Sequence, residues 1–252
     1  DRWLSSNTSS SRIIYVSNLS GSYRLWLANN KAAPLKQLEM GDMALIPPSL
    51  SPDGNNVAYF AISGDHTTLN ILNIENQQQI ILAEKLQKPI ALSWSPDGLA
   101  IYITLKDTSI AALWKYALNN QTPEKMAVEN PASIQLSANG KQLYFTKYET
   151  PGLWQKQLPA GKEVLLLDNL YASDSFNWVL SKKGIFYLTR LEAADQIRFL
   201  DLSTAKDTLI QTFPSNTVAI GGKFSLLNYQ TLLGYDKLRP IQADVMVVPY
   251  RQ

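Results

Sequence analysis

The chain has 252 residues with no cysteine, one histidine and a formal net charge of +2. Disulfide frameworks, thiolate or multi-histidine metal sites and cysteine nucleophiles are excluded, and so weak and dispersed a positive balance is no nucleic-acid footprint. No run of 18 apolar residues exists to cross a membrane as a helix, and the 10% aromatic content points to a packed globular protein rather than a disordered one.

In chain order, Ile13-Ile14-Tyr15-Val16 reads as a strand, followed by apolar runs at Leu25-Trp26 and 35–38. A run at 48–51 leads into the turn Ser51-Pro52-Asp53-Gly54, and Tyr59, Leu69-Asn70 and 80–82 then repeat the first series. Residues 91–95 lead into a second turn, Ser95-Pro96-Asp97-Gly98, followed by Tyr102, Leu113-Trp114 and 126–128. Residues 134–137 lead into Ser137-Ala138-Asn139-Gly140, then Tyr144, Leu153-Trp154 and 164–167. Residues 177–180 lead into Ser181-Lys182-Lys183-Gly184, then Tyr187, Ile197-Arg198 and 209–210. Ser225-Leu226-Leu227-Asn228 reads as a fifth, degenerate turn, followed by Leu232-Leu233 in place of the strand tyrosine, and by Val245-Met246.

The turns end at 54, 98, 140, 184 and 228, a step of 42–44 residues. Proline sets φ at the second turn position, aspartate bonds back to nearby amides, and glycine takes the left-handed conformation that returns the chain as a hairpin. Four short strands in each such step is the period of a propeller blade. The expectation is an all-β single domain over 1–252, a six-bladed β-propeller of four-stranded antiparallel blades, with the ring closed between the N- and C-terminal segments. Residues 1–6, with Trp3-Leu4, fit the outer strand of the last blade or equally the inner strand of the first. From its start at Asp1 rather than Met, the chain is expected to be a fragment of a longer protein or a processed form.

The candidate chemistry is sparse. His66, in Gly64-Asp65-His66-Thr67, would have to serve any Ser-His-Asp triad, but no Gly-x-Ser-x-Gly elbow accompanies it, and a solvated loop residue is the better reading. Asp53 and Asp97 lack the alternating oxygen ligands of a calcium loop and read as turn-stabilising. Trp26, Trp114 and Trp154 hold a fixed repeat position, which favours blade packing over sugar stacking. Gly221-Gly222-Lys223 lacks the spacing of a phosphate loop, and Lys182-Lys183 reads as a solvated turn. No catalytic residue, metal ligand or cofactor is expected, and the chain is read as non-enzymatic.

Links between the second and third strands, and from one blade to the next, are longer than the others: 40–47, 63–67, 106–109, 148–151, 168–175, 191–195 and 235–242. Long irregular loops on a rigid scaffold are where binding resides. The expected ligand- or partner-binding face is theirs, around the channel mouth, with Asp42, Met43, Asp65, His66, Tyr148, Tyr171, Asp174, Tyr235 and Arg239 as candidates.

The Ser-Pro-Asp-Gly turn followed by a hydrophobic-Tyr-hydrophobic-Thr strand resembles the blade repeat of TolB-type propellers. Within 152–210, Gly152-Leu153-Trp154, Asn177-Trp178, Gly184-Ile185-Phe186-Tyr187 and Ile197-Arg198-Phe199-Leu200-Asp201 resemble the propellers of membrane-anchored winged-helix regulators of the CadC-like kind, as does Ala243-Asp244-Val245-Met246-Val247-Val248. That resemblance implies a periplasmic sensor or interaction domain of a bacterial transcriptional regulator. Its ligand would be a small molecule or an envelope protein. The membrane would be crossed by a helix outside this chain, DNA would be bound by a separate N-terminal domain and not by this one, and the chain could form a homodimer. Two other readings are a freestanding TolB-like periplasmic scaffold and the propeller of a prolyl-oligopeptidase-like hydrolase lacking its catalytic domain.

Overall fold

The computed structural model describes residues 2–6, 12–18, 21–29, 34–38, 42–120, 122–227, 232–238 and 243–249. Every strand pairs antiparallel with its sequence neighbour. The first sheet is β1 (Arg2–Ser6), β2 (Ile13–Ser17), β3 (Arg24–Ala28) and β4 (Pro34–Gln37). The second is β5 (Ser49–Leu50), β6 (Asn56–Ser63), β7 (His66–Asn73) and β8 (Gln79–Leu86). The third is β9 (Pro89–Trp94), β10 (Ala100–Asp107), β11 (Ile110–Ala117) and β12 (Glu124–Met126). The fourth is β13 (Pro131–Leu136), β14 (Gln142–Lys147), β15 (Thr150–Gln157) and β16 (Glu163–Leu167). The fifth is β17 (Trp178–Leu180), β18 (Gly184–Arg190), β19 (Ala194–Asp201) and β20 (Asp207–Pro214). A last sheet of three strands holds β21 (Ser225–Leu227), β22 (Leu232–Leu238) and β23 (Ala243–Pro249).

The fold is an all-β propeller with five four-stranded antiparallel blades, and the expectation of six such blades is overturned. The last sheet has three strands among the described residues, and residues 2–6 do not supply its outer strand. They form the inner strand of the first blade instead. Burial gives the reason: Trp3 and Leu4 are almost wholly buried, which an inner strand between two neighbouring sheets provides and a solvent-facing outer strand does not. The ring is therefore closed by seams between inner strands and not by a shared strand. Each inner strand touches the next, and β21 touches β1. At that junction Ser225 Oγ donates to Leu4 O at 2.5 Å, and Trp3 N donates to Asp236 Oδ2 at 3.1 Å.

Other seams use the same device. Leu50 N donates to Ser5 Oγ at 3.0 Å, Trp94 Nε1 to Ser49 O at 3.0 Å, and Trp178 Nε1 to Ser133 Oγ at 2.7 Å. Within the sheets, the first residues of the third-strand register, Leu25, Leu69, Leu113, Leu153 and Ile197, are all fully buried, as that repeat position requires. The expected replacement of the strand tyrosine by Leu232-Leu233 in the last sheet does not occur. Tyr235 fills that position, paired with Met246 as Tyr187 is with Arg198. Both members of this pair lie 48 residues beyond their counterparts. Burial raises the hydroxyl pKa of these tyrosines, that of Tyr59 to about 12.

Three of the hairpin turns share one hydrogen-bond pattern. In the second of them Ser95 Oγ donates to Asp97 Oδ1 at 2.6 Å, Leu99 N donates to the same oxygen at 2.9 Å, and Ala100 N donates to Ser95 Oγ at 2.8 Å. The Ser51 and Ser137 turns repeat this with Asp53 and Asn139. The Ser95 hydroxyl and the Leu99 amide hold the Asp97 carboxyl below its usual pKa. Gly184, expected as the fourth turn's left-handed residue, is instead the first residue of β18. A Cβ there would fall 2.1 Å from Leu200 O. The expected fifth turn is also displaced, since Ser225–Leu227 is the buried inner strand β21; Asn228 lies outside the described residues.

Gly98 tests the turn chemistry. Its φ is +72°, and an added Cβ would meet only Pro52 Cδ, at an ordinary 3.8 Å. Gly98→Ala should therefore lower stability through the backbone alone, by about 1–2 kcal/mol. Urea denaturation reads this as a lower midpoint at unchanged slope.

Candidate functional site

The blade topology gives the ring two different faces. The turn face carries the first-to-second and third-to-fourth strand connections, including the Ser-Pro-Asp-Gly turns. The link face carries the second-to-third connections and the blade-to-blade links. The inner strands enclose a channel of about 390 Å³. It is bordered by Pro47, Phe176 and Lys223 toward the link face and by Pro52, Pro96 and Lys182 toward the turn face.

The structure scatters the candidate residues around the link face and sinks three of them. Asp42 is exposed and pairs with Arg24 at 3.3 Å, while Met43 next to it is buried and bridges to Ala61. Asp65 and His66 stand in the exposed β6–β7 hairpin, with a His66 ring nitrogen 3.0 Å from Asp65 Oδ1; that hydrogen bond lowers the Asp65 pKa. The Tyr148 hydroxyl accepts a hydrogen bond from Lys106 Nζ at 2.8 Å, and the ammonium also lies over the ring, 4.0 Å from its centroid. Tyr171 is half exposed. Asp174 and Tyr235 are buried, and Arg239 lies outside the described residues. No group of three or more His, Cys, Asp or Glu among the described residues is arranged to hold a metal ion. Of the tryptophans weighed for stacking, Trp154 lies against Phe145 with centroids 6.3 Å apart, and Lys125 sits over Trp114.

Asp174 belongs to a network that the sequence did not reveal. It follows Tyr171 in a short 3-10 turn, Ala172–Asp174. Arg190, at the end of β18, grips both its oxygens, with Nε to Oδ2 and Nη2 to Oδ1 each 2.7 Å. Arg190 Nη1 donates to Asp195 Oδ1 at 3.1 Å, and Nη2 to Val218 O at 3.1 Å. Asp195 Oδ2 accepts from Val218 N at 2.8 Å, and Asn177 Nδ2 donates to Asp174 Oδ1 at 2.9 Å and to Ala219 O at 3.0 Å. This fork ties the links 168–177 and 215–224 to the fifth blade. It shapes the link face without being exposed on it.

A buried aspartate and a half-buried lysine, Asp236 and Lys223, stand at the closing seam without forming a close ion pair. Asp236 is 1% exposed, and its Oδ1 has no hydrogen-bond partner among the described residues. Burial raises its pKa to about 6 and lowers that of Lys223 to about 8. For both groups desolvation outweighs their mutual attraction.

The exposed apolar side chains separate the two faces. Of fifteen large ones exposed among the described residues, Leu45, Ile62, Ile110, Tyr171, Leu191, Ile220 and Leu238 lie at the link face. Only Leu99 and Leu118 lie at the turn face, and the other six are on outer strands.

No protein-family model matches the chain. Among solved structures it is similar to TolB from Acinetobacter baumannii, at 15% identity and a TM-score of 0.65, over 84% of this chain and 54% of that one. It is also similar to a putative TolB from Agrobacterium tumefaciens, at 10% identity and a TM-score of 0.66, over 99% and 90%. A prolyl endopeptidase is similar at 16% identity and a TM-score of 0.56, over 96% of this chain and 41% of that one. The chain thus spans about half the length of the Acinetobacter protein and less of the endopeptidase. These likenesses define its class by fold, a TolB-like β-propeller.

Proposed function

We propose that the chain is a non-enzymatic binding module that takes a partner protein or small molecule on its link face. The observation that carries this reading is that seven large apolar side chains are exposed there, against two on the turn face. Exposed apolar side chains gathered on one face of a rigid scaffold mark interaction surfaces. Tyr171 and Ile220 stand on neighbouring links, joined by a hydrogen bond from Gly221 N to Ser173 O at 3.2 Å. With Leu191 and Leu238 they make the fifth-blade side of the rim the first place to test. The finer reading is an extracytoplasmic sensor domain of a membrane-anchored winged-helix regulator. It is supported by the resemblance of residues 152–210 and 243–248 to that group, and a winged-helix region and a membrane helix encoded upstream of Asp1 in the parent gene would test it.

A photo-crosslinking amino acid placed at Tyr171, Ile220 or Leu45, in the cells that make the protein, should give discrete adducts. The same group at Leu99 or Leu118 should give none. Adducts from the turn face alone, or from neither face, would overturn the reading.

A further inference from the structure

Among the described residues lining the channel two are ionisable, Lys182 and Lys223, and none is an aspartate or glutamate. Lys223 lies in the link before β21. Its Nζ donates to Pro48 O, in the link before β5, at 3.0 Å. The side chain thus joins the two links on either side of β1, at the channel's link-face end. No described carboxylate lies within the 4.0 Å of an ion pair with that ammonium, and Asp236 acts on it from farther away. An ammonium carries three N–H donors, and the carbonyl takes one of them. A desolvated ammonium without a close counter-charge is unfavourable, yet a pKa of about 8 leaves Lys223 mostly charged at neutral pH. Elsewhere on the wall, Ser49 supplies a hydroxyl, and Leu92 and Trp178 supply apolar surface. A cavity of about 390 Å³ with this lining is of the size that encloses small organic ligands.

We propose that the central channel binds a small organic oxyanion, a carboxylate or a phosphate monoester, whose negative group rests on Lys223 Nζ. The site lies inside the ring, and neither it nor the link-face reading depends on the other.

Calorimetric titration at constant ionic strength tests this, with succinate, citrate and glycerol 3-phosphate as probes and glycerol as the uncharged control. At least one anion should bind saturably at one site, and glycerol should not. Which anion binds more tightly separates the carboxylate from the phosphate source. Lys223→Met should weaken that binding by about tenfold or more, whereas Lys182→Met should leave it within about twofold. Should Lys223→Met fail to fold, two measurements on the unaltered protein stand in for it. The Lys223 ammonium nitrogen resonance should shift on anion addition, and affinity should fall as the pH is raised through about 8. Absence of saturable binding by all three anions, equal binding of glycerol, or unchanged affinity in Lys223→Met would overturn the proposal, as would an unshifted resonance.

Discussion

Arg190→Met is expected to destabilise the protein by about 3–5 kcal/mol, the loss that follows when a buried charge pair loses one partner. The guanidinium is only 12% exposed and serves two carboxylates that are each 1% exposed. Methionine fills much of the volume but leaves Asp174 with the Asn177 amide and Asp195 with the Val218 amide as the remaining donors. A carboxylate buried with one donor bears most of its desolvation penalty uncompensated. At about 2–4 °C per kcal/mol for a chain this long, the melting temperature should fall by roughly 6–20 °C. Arg190→Lys should recover part of the loss, because it restores the charge without the two-pronged geometry. Arg12→Met removes an ion pair to the exposed Glu75 and should cost within about 1 kcal/mol. If Arg190→Met cost no more than Arg12→Met, the network would not hold the links 168–177 and 215–224 as described. Proteolysis offers a second readout, since cleavage of the variant should begin in those two links.

Asp236→Asn is expected to remove a pH dependence and to stabilise the protein at neutral pH. Burial raises the Asp236 pKa from 3.8 to about 6, so the folded state holds this proton more tightly than the unfolded chain does. Its contribution is fully present below pH 3.8 and is lost as the pH rises through about 6. A shift of this size corresponds to about 3 kcal/mol. The asparagine amide is uncharged like the protonated acid and keeps an acceptor for Trp3 N. Denaturant titrations at pH 4 and pH 7 should show the wild-type chain losing stability between them relative to Asp236→Asn. Asp97 and Asp201 work in the opposite sense and in a lower window. Their pKa values are lowered, that of Asp201 to about 2, so their contribution is lost as the pH falls below 3.8. A variant with an unchanged profile between pH 4 and 7 would show that Asp236 does not titrate in this range.

The blade period was legible because hairpin geometry is local. Ser51, Asp53 and Gly54 complete their turn within five residues, and the same letters recur at Ser95, Asp97 and Gly98 with the same bonds. Even the displaced last tyrosine could have been placed from sequence, because Tyr235 and Met246 keep the 48-residue step from Tyr187 and Arg198. The reading failed where letters that suit a turn served a strand, as at Gly184 and Ser225. It also failed to choose a sheet for residues 2–6, because Trp3-Leu4 pairs well with any apolar neighbour until the ring is built.

The sequence by itself determined an all-β chain of repeated hairpins and the positions of most turns and core tyrosines. Spacing along the chain dictates these through backbone hydrogen bonds between near neighbours. The connection lengths were not determined: the expected long connections near 64, 108 and 148 are two-residue hairpins, and the ten-residue link 215–224 was not among those expected. Only the tertiary structure decided that β1 is an inner strand, that Arg190 joins Asp174 to Asp195, and that Lys223 reaches Pro48, a residue 175 positions away. Such pairings arise when the ring closes and removes water from groups that are distant in sequence. Their partners are set by the geometry of closure, for which no local pattern of residues codes.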